Sequence, residues 1–284
     1  MSASNPSAAS RPPDLHDLPG LLLLVGAGKM GSALLDGWLR FGLRPADIAV
    51  IEPRPSPQIA ALADRGLRLN PAIRGLPGAA AIVIAVKPQV AADVVPAAAP
   101  MISPSTLVVS IMAGRTLDFL AGALKTPCAL VRAMPNTPAA IGHGITVAAA
   151  RGATEKQREL ADSLLAATGA VEWVDDEVLM DAVTAVSGSG PAYVFLLAEA
   201  LADAAIAAGL PPALAEKLAR ETVAGSGELL HRSGLTAATL RENVTSPGGT
   251  TAAALAVLMG QNGLVPLMKE AVAAATKRSR ELAG

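Results

Sequence analysis

The chain is short of the residues on which many functions depend. Its 284 residues include one cysteine, Cys128, and only three Phe, two Trp and one Tyr. One cysteine forms no internal disulfide and supplies no thiolate cluster for zinc, so a reducing compartment, the cytoplasm, is expected and no metal. So few aromatics leave no platform for stacking bases. An excess of one charge is missing too: 23 Lys and Arg face 24 Asp and Glu, a formal net charge of −1. A nucleic-acid groove needs clustered cations, so no nucleic-acid partner is expected. Long uncharged apolar runs are also lacking. The best candidate, residues 195–210, carries Glu199 and Asp203, so no membrane span is expected. Residues 1–20 have neither the basic start nor the apolar core of a secretory signal. Rich in Ser and Pro, they read as a disordered tail that ends at the Pro19-Gly20 turn.

Apolar residues are plentiful, at 51% of the chain. That fraction supports a buried core, and the length suits about two domains of roughly 150 residues each. From 21 to 176, β-rich runs alternate with helical patterns. Strands are expected at 21–25, 47–52, 80–86, 105–112, 127–133, 144–149 and 170–174. Such continuous apolar runs suit strands buried on both faces of a parallel sheet. One helix starts at Lys29, with Met30, Leu34 and Trp38 on one face. Others start after Ser56 with Pro57 in the first turn, at Pro88, and at Thr154, where Gln157 completes a capping-box spacing. The alternation implies an α/β fold with an N-terminal Rossmann-type doubly wound sheet. From 177 to 284 the strand signal stops, and an all-helical C-terminal domain is expected. Its helices read as 177–187, 191–209, 211–232, 236–243, 250–260 and 263–282, with a break where Gly188 to Pro191 cluster. Several are apolar on more than one side, which calls for a partner surface and makes a homodimer the expected state.

The strongest local signal follows the first strand: Gly26-Ala27-Gly28-Lys29-Met30-Gly31, a G-x-G-x-x-G turn leading into a helix. Gly26 permits the tight turn, Gly28 lets a pyrophosphate approach the backbone, and Gly31 allows close packing of helix on strand. The helix N-terminus adds N–H groups and a positive dipole end for phosphates. The second strand ends at Glu52-Pro53-Arg54. A carboxylate there suits a ribose 2′-OH and hence NAD; a nearby arginine suits a 2′-phosphate and hence NADP. The two signals conflict. Ala85-Val86-Lys87-Pro88 lies at the C-terminal end of the 80–86 strand, where ligands of open α/β sheets bind.

Two further segments are too rich in glycine for plain helix connections: residues 187–193 (SGSGPAY) and 245–251 (TSPGGTT). Each places small residues and free N–H groups just before a helix, an arrangement suited to a carboxylate. The histidines are unpromising as catalysts. His16 is in the tail, His143 follows a glycine loop, and His231 ends a helix, so surface or structural roles are expected. Cys128 opens a buried strand and reads as inert core.

Together these segments resemble pyrroline-5-carboxylate reductase over residues 21–283. The resemblance rests on the G-x-G-x-M-G turn, 85–88 (AVKP), 132–138 (RAMPNTP), 278–282 (RSREL) and, most specifically, 181–193 (DAVTAVSGSGPAY) and 244–251 (VTSPGGTT). It implies hydride reduction of (S)-1-pyrroline-5-carboxylate to L-proline, and a homodimer with active sites at the seam of two chains. Rings of such dimers occur in the family. By motif position, Ser246 and the N–H groups of Gly248, Gly249 and Thr250 would hold the substrate carboxylate, and Thr251 would hydrogen-bond the ring nitrogen. Asn136 and Pro138 would lie beside the nicotinamide. The resemblance implies NADPH, with NADH accepted by many members, and Glu52 departs from the uncharged residues common at that place. A protonated imine already accepts hydride well, so orientation and a hydrogen-bond partner for nitrogen suffice. Two rivals differ in the helical half. A β-hydroxyacid dehydrogenase would carry a lysine on the helix at 191–209, where there is none. A non-catalytic dinucleotide-binding protein would have no use for Thr250 and Thr251 after 246–249.

Overall fold

The computed structural model describes Leu15 and residues 18–283. Most of the tail expected at 1–20, His16 included, lies outside the described residues. Its end departs from the expectation of disorder. Leu15 is only 2% exposed, and Leu18 packs on the same core cluster.

Eight strands form one sheet: β1 (Leu21–Val25), β2 (Ile48–Ile51), β3 (Arg68–Leu69), β4 (Ala79–Ile84), β5 (Leu107–Ser110), β6 (Ala129–Met134), β7 (Gly144–Arg151) and β8 (Gly169–Trp173). Their order is β3-β2-β1-β4-β5-β6-β7-β8. All neighbours pair parallel except β6 and β7, which are antiparallel. The first six strands thus follow the doubly wound dinucleotide-binding order, with the topological switch between β1 and β4. All the expected strands are present, shortened or shifted by up to a few residues. The two-residue β3 is additional.

Side-chain alternation along the strands fills two apolar layers. Leu22 and Leu24 of β1 pack with Val50, Val83, Val109 and Val131 on one face. The helices α1 (Lys29–Arg40) and, past α2 (Pro57–Ala61), α3 (Ala91–Val94) and α4 (Leu117–Leu124), α5 (Glu155–Ala166) contribute the covering residues on that side, among them Leu34, Leu35, Trp38, Leu164 and Leu165. Trp38 ties α1 to α5, its Nε1–H donating to the Leu164 carbonyl at 2.8 Å. On the opposite face Leu21, Leu23 and Val25 pack with Ile82, Ile84 and Val108 under Val95, Met101, Leu117, Leu120 and Leu124. The capping box at Thr154 and Gln157 forms as expected and starts α5.

The helices after the sheet are α6 (Met180–Val183), α7 (Gly190–Ala207), α8 (Pro212–Ser233), α9 (Ala237–Asn243), α10 (Thr250–Leu258) and α11 (Leu264–Ala283). The break expected at 188–191 is present as a bend at Ser189, after which α7 starts at Gly190, and it is preceded by an unexpected π-helical turn, Thr184–Gly188. The hydroxyls of Thr184 and Ser187 donate back to the carbonyls of Met180 and Val183, so this turn is satisfied internally. By length and composition the run Glu177–Ala207 is also apolar enough to cross a membrane, which the reading of 195–210 did not allow for.

The chain divides into two compact units, 11–188 with 276–284, and 189–275. By contacts the end of α11 groups with the sheet. There Ser279 donates to Asp181 at 2.7 Å. In the helical unit the buried apolar residues among those described are three alanines, Ala202, Ala215 and Ala219. Its large apolar side chains face outward: Phe195 is 63% exposed, Leu196 62% and Val257 76%.

Candidate active site

The glycine turn has the geometry its sequence promised. Gly26 has φ +90°, a left-handed conformation, and an added Cβ there would lie 2.9 Å from the Ala85 carbonyl carbon. A Cβ on Gly31 would run into the carbonyl oxygen of Gly26, so helix and strand approach only because neither has a side chain. Gly28 is different. Around its Cβ position nothing lies within 4 Å, and it is the N-cap of α1 with no side-chain cap. The first N–H groups of α1 therefore open onto free space, as a pyrophosphate requires. Lys29 and Met30 form the first turn, Lys29 exposed and Met30 half-buried.

A cavity of about 460 Å³ lies at the switch point between β1 and β4. Val25, Gly26, Gly28, Glu52, Arg54 and Lys87 are among its lining residues, with Ala85 and Val86 beside them. The sheet continues into its floor, since Gly26 N–H donates to the Ile51 carbonyl and Ala85 N–H to that of Val25. Pro88, expected at the site, does not line the cavity; its carbonyl accepts from Arg115 Nη2 at 2.9 Å and Nε at 3.2 Å. Arg115 in turn stacks over the Phe119 ring at 4.7 Å.

The carboxylate of Glu52 does not hang free. Its Oε2 accepts the Ala27 N–H at 2.9 Å and its Oε1 the Arg54 N–H at 3.0 Å. Its own backbone is held by Asn70, whose Oδ1 accepts the Glu52 N–H at 2.8 Å while Nδ2 donates to the Glu52 carbonyl at 2.9 Å. Asn70 follows β3 at φ +47°, a conformation that asparagine tolerates better than most residues. The sequence reading missed Asn70. The positive φ has no sequence mark, and β3 is too short to show a pattern.

Asn136 and Pro138 begin a 3-10 turn, Thr137–Ile141, that packs against α1. Asn136 Oδ1 accepts the Ile145 N–H at 3.0 Å and fixes this loop to β7. Neither residue lines the cavity at the switch point. Arg132, on β6 of the same motif, is 5% exposed and pairs with Glu177 at 3.0 Å. Glu177 also accepts the Leu117 N–H at 2.8 Å. Neither partner was expected to matter.

In the helical unit, residues 246–251 form the approach to α10. Gly248 has φ +71°, and the Gly249 N–H donates to the Ser246 carbonyl at 3.0 Å. Gly249 is the N-cap, without a side-chain cap, so the N–H groups of Thr250 and Thr251 have no acceptor within the helix. Ser246, Gly248 and Thr250 are exposed, and Gly249 and Thr251 half-buried. Hydroxyls and N–H groups thus converge on one exposed turn.

Cys128 is half-buried beside the core, and burial pushes its thiol up from the usual range. It is therefore a poor nucleophile, in keeping with the inert role expected of it.

Comparisons with known proteins agree with this geometry. Residues 177–282 match the family model for pyrroline-5-carboxylate reductase dimerisation, and residues 22–114 that for NADP oxidoreductase, coenzyme F420-dependent. The pyrroline-5-carboxylate reductase of Pseudomonas aeruginosa is 38% identical over 264 residues, covering 92% of this chain and 96% of its own. The solved structure of a pyrroline-5-carboxylate reductase from Coxiella burnetii superposes with a TM-score of 0.85 at 34% identity, covering 93% of this chain and 99% of that one. The Plasmodium falciparum pyrroline carboxylate reductase, solved with NADP bound, gives 0.77 at 29% identity, covering 94% and 99%. On sequence, fold and site geometry together, the chain belongs to the pyrroline-5-carboxylate reductase family.

Proposed function

We propose that this protein reduces (S)-1-pyrroline-5-carboxylate to L-proline, the last step of proline biosynthesis, with a nicotinamide dinucleotide as reductant. The observation that carries the reading is the uncapped turn at 246–251, in a chain whose glycine turn is shaped for a pyrophosphate. The nucleotide, when bound, supplies a hydride to the carbon of the C=N bond. Gly26, Gly28, Lys29, Met30 and Gly31 would hold its pyrophosphate. Glu52 and Arg54 would face its ribose, Ala85 to Lys87 would line its path, and Asn136 and Pro138 would flank the nicotinamide.

Substrate orientation falls to the turn before α10. The Ser246 hydroxyl and the N–H groups of Gly248 and Thr250 would hold the carboxylate, which gains from the helix dipole, while the Gly249 N–H, expected to join them, instead donates to the Ser246 carbonyl and shapes the turn. The Thr251 hydroxyl oxygen would accept the N–H of the protonated ring. That bond fixes the plane of the C=N group and keeps the proton on nitrogen, so no strong general base is required.

The exposed apolar residues of α7 and α10 support a homodimer formed through the helical unit, with each active site completed at the seam of two chains. Assembly of dimers into rings is a further step that the family resemblance suggests. A partner surface also accounts for the apolar run Glu177–Ala207 without a membrane, and the cytoplasm is the proposed compartment. The β-hydroxyacid dehydrogenase reading lacks its lysine, since α7 contains none. A steady-state assay of the pure protein with pyrroline-5-carboxylate, and with NADH and NADPH in parallel, tests the proposal. Turnover is expected; its absence with both nucleotides overturns the reading.

A further inference from the structure

We infer that Glu52, fixed by Asn70, acts as a built-in anion that makes the chain select NADH over NADPH. The inference rests on the nucleotide-binding reading above and deepens it.

The Glu52 carboxylate occupies backbone donors on two sides of the cavity rim. Its oxygens take the N–H groups of Ala27, inside the glycine turn, and of Arg54, at the end of β2. Those two are backbone donors that this corner could otherwise offer to a phosphate, beside the exposed Arg54 side chain. With each donor already bound to a carboxylate oxygen, an incoming 2′-phosphate meets a fixed negative charge instead of free N–H groups. A ribose 2′-OH meets the opposite situation. Each carboxylate oxygen accepts one backbone N–H and retains a lone pair for a hydroxyl donor. Charge-assisted bonds of this kind are stronger than neutral ones.

Position matters as much as charge. A glutamate on a loop could swing aside for a phosphate. Here the two-point bond from the Asn70 amide pins the Glu52 backbone, and the Ala27 N–H pins the carboxylate. Moving the carboxylate away would break both of its backbone bonds at once. Among the residues that line this corner of the cavity, Arg54 is the one suited to a 2′-phosphate. Its side chain is exposed, and its backbone N–H already serves Glu52. Asn70 is thus a positioning residue for specificity, acting through Glu52.

The test is direct titration of the protein with NADH and with NADPH, without substrate, followed by nicotinamide fluorescence. The native chain is expected to bind NADH more tightly by about tenfold or more, equivalent to about 1.4 kcal/mol. Glu52→Gln keeps the shape and can still accept the Ala27 N–H but lacks the charge, and it should bring the two dissociation constants together. Asn70→Gly removes the amide without strain at positive φ and should narrow the ratio while leaving the melting temperature close to native. A native preference for NADPH that disappears in Arg54→Ala overturns the inference and assigns selection to the arginine. An unchanged ratio in Glu52→Gln also overturns it. If neither nucleotide binds, the nucleotide-binding reading itself falls; if both bind equally and turnover persists, only the selection by Glu52 does.

Discussion

The sheet unit and the helical unit bury their apolar residues in opposite ways. In the sheet unit, two layers of aliphatic side chains close over both faces of β1, β4 and β5, and residues such as Leu22, Leu24 and Ile82 are fully buried. In the helical unit, Ala202, Ala215 and Ala219 are the buried apolar residues among those described, while Phe195, Leu196 and Val257 face outward. The first is a fold that satisfies itself. The second carries its large apolar side chains on its surface, the arrangement from which the proposed homodimer is argued. The cavity shaped for a nucleotide and the exposed apolar face thus lie on different stretches of one chain.

That contrast can be broken most sharply at the exposed face of α7. The pair Phe195→Arg and Leu196→Arg is expected to abolish self-association in light scattering and to lower kcat/KM by at least ~100-fold, since buried interface charge is costly. Nucleotide titration should stay near native, because the cavity between β1 and β4 belongs to the other unit. Association that persists would mean that α7 is not the seam.

Thr251→Ala tests the helical unit's chemistry without touching its surface. A fall in kcat/KM of roughly 10–1,000-fold is expected if the hydroxyl acts as one preorganised hydrogen-bonding group. Unchanged kinetics would remove Thr251 from the mechanism. Arg132→Ala tests the self-sufficiency of the sheet unit. It leaves Glu177 with the Leu117 N–H alone, and should cost about 3 kcal/mol in denaturant unfolding. A loss near zero would show that the pair contributes little. The smallest effect is expected at Cys128. Because burial raises its thiol, little thiolate forms near neutral pH, and labelling should speed up as pH rises toward the raised value. Folded protein should react more slowly than denatured protein at the same pH, and equal rates would contradict that.

The two units were also unequally legible in the sequence. Strands buried on both faces leave uninterrupted apolar runs, so 21–25, 80–86 and 105–112 were readable and needed only trimming. Helix starts were readable where a side chain caps them, as at Ser56 and Thr154. The glycine turn was readable because each of its glycines answers a steric demand. Three features were not. Arg68–Leu69 is held only by pairing with β2, with no pattern of its own. The π turn at Thr184–Gly188 has no mark in the sequence, where Gly188, Gly190 and Pro191 signal only the break that follows it at Ser189. The Glu52 and Asn70 contact joins residues 18 apart through an amide whose aim depends on one left-handed backbone angle. Of the site, the residues at 246–251 were legible as a turn and a free helix end; their roles came from the family resemblance.

One connection changes how the molecule must be made. The sheet unit includes residues 276–284, and Ser279 donates to Asp181 within it. A growing chain reaches Asp181 before the helical residues 189–275 and Ser279 only after them. The sheet unit therefore cannot finish first and wait, as an N-terminal domain usually does during synthesis. Its last contact forms only once the whole helical segment, with its outward apolar side chains, has been synthesised. The order of synthesis thus delays the last contact of the sheet unit until the exposed apolar face of the helical unit already exists.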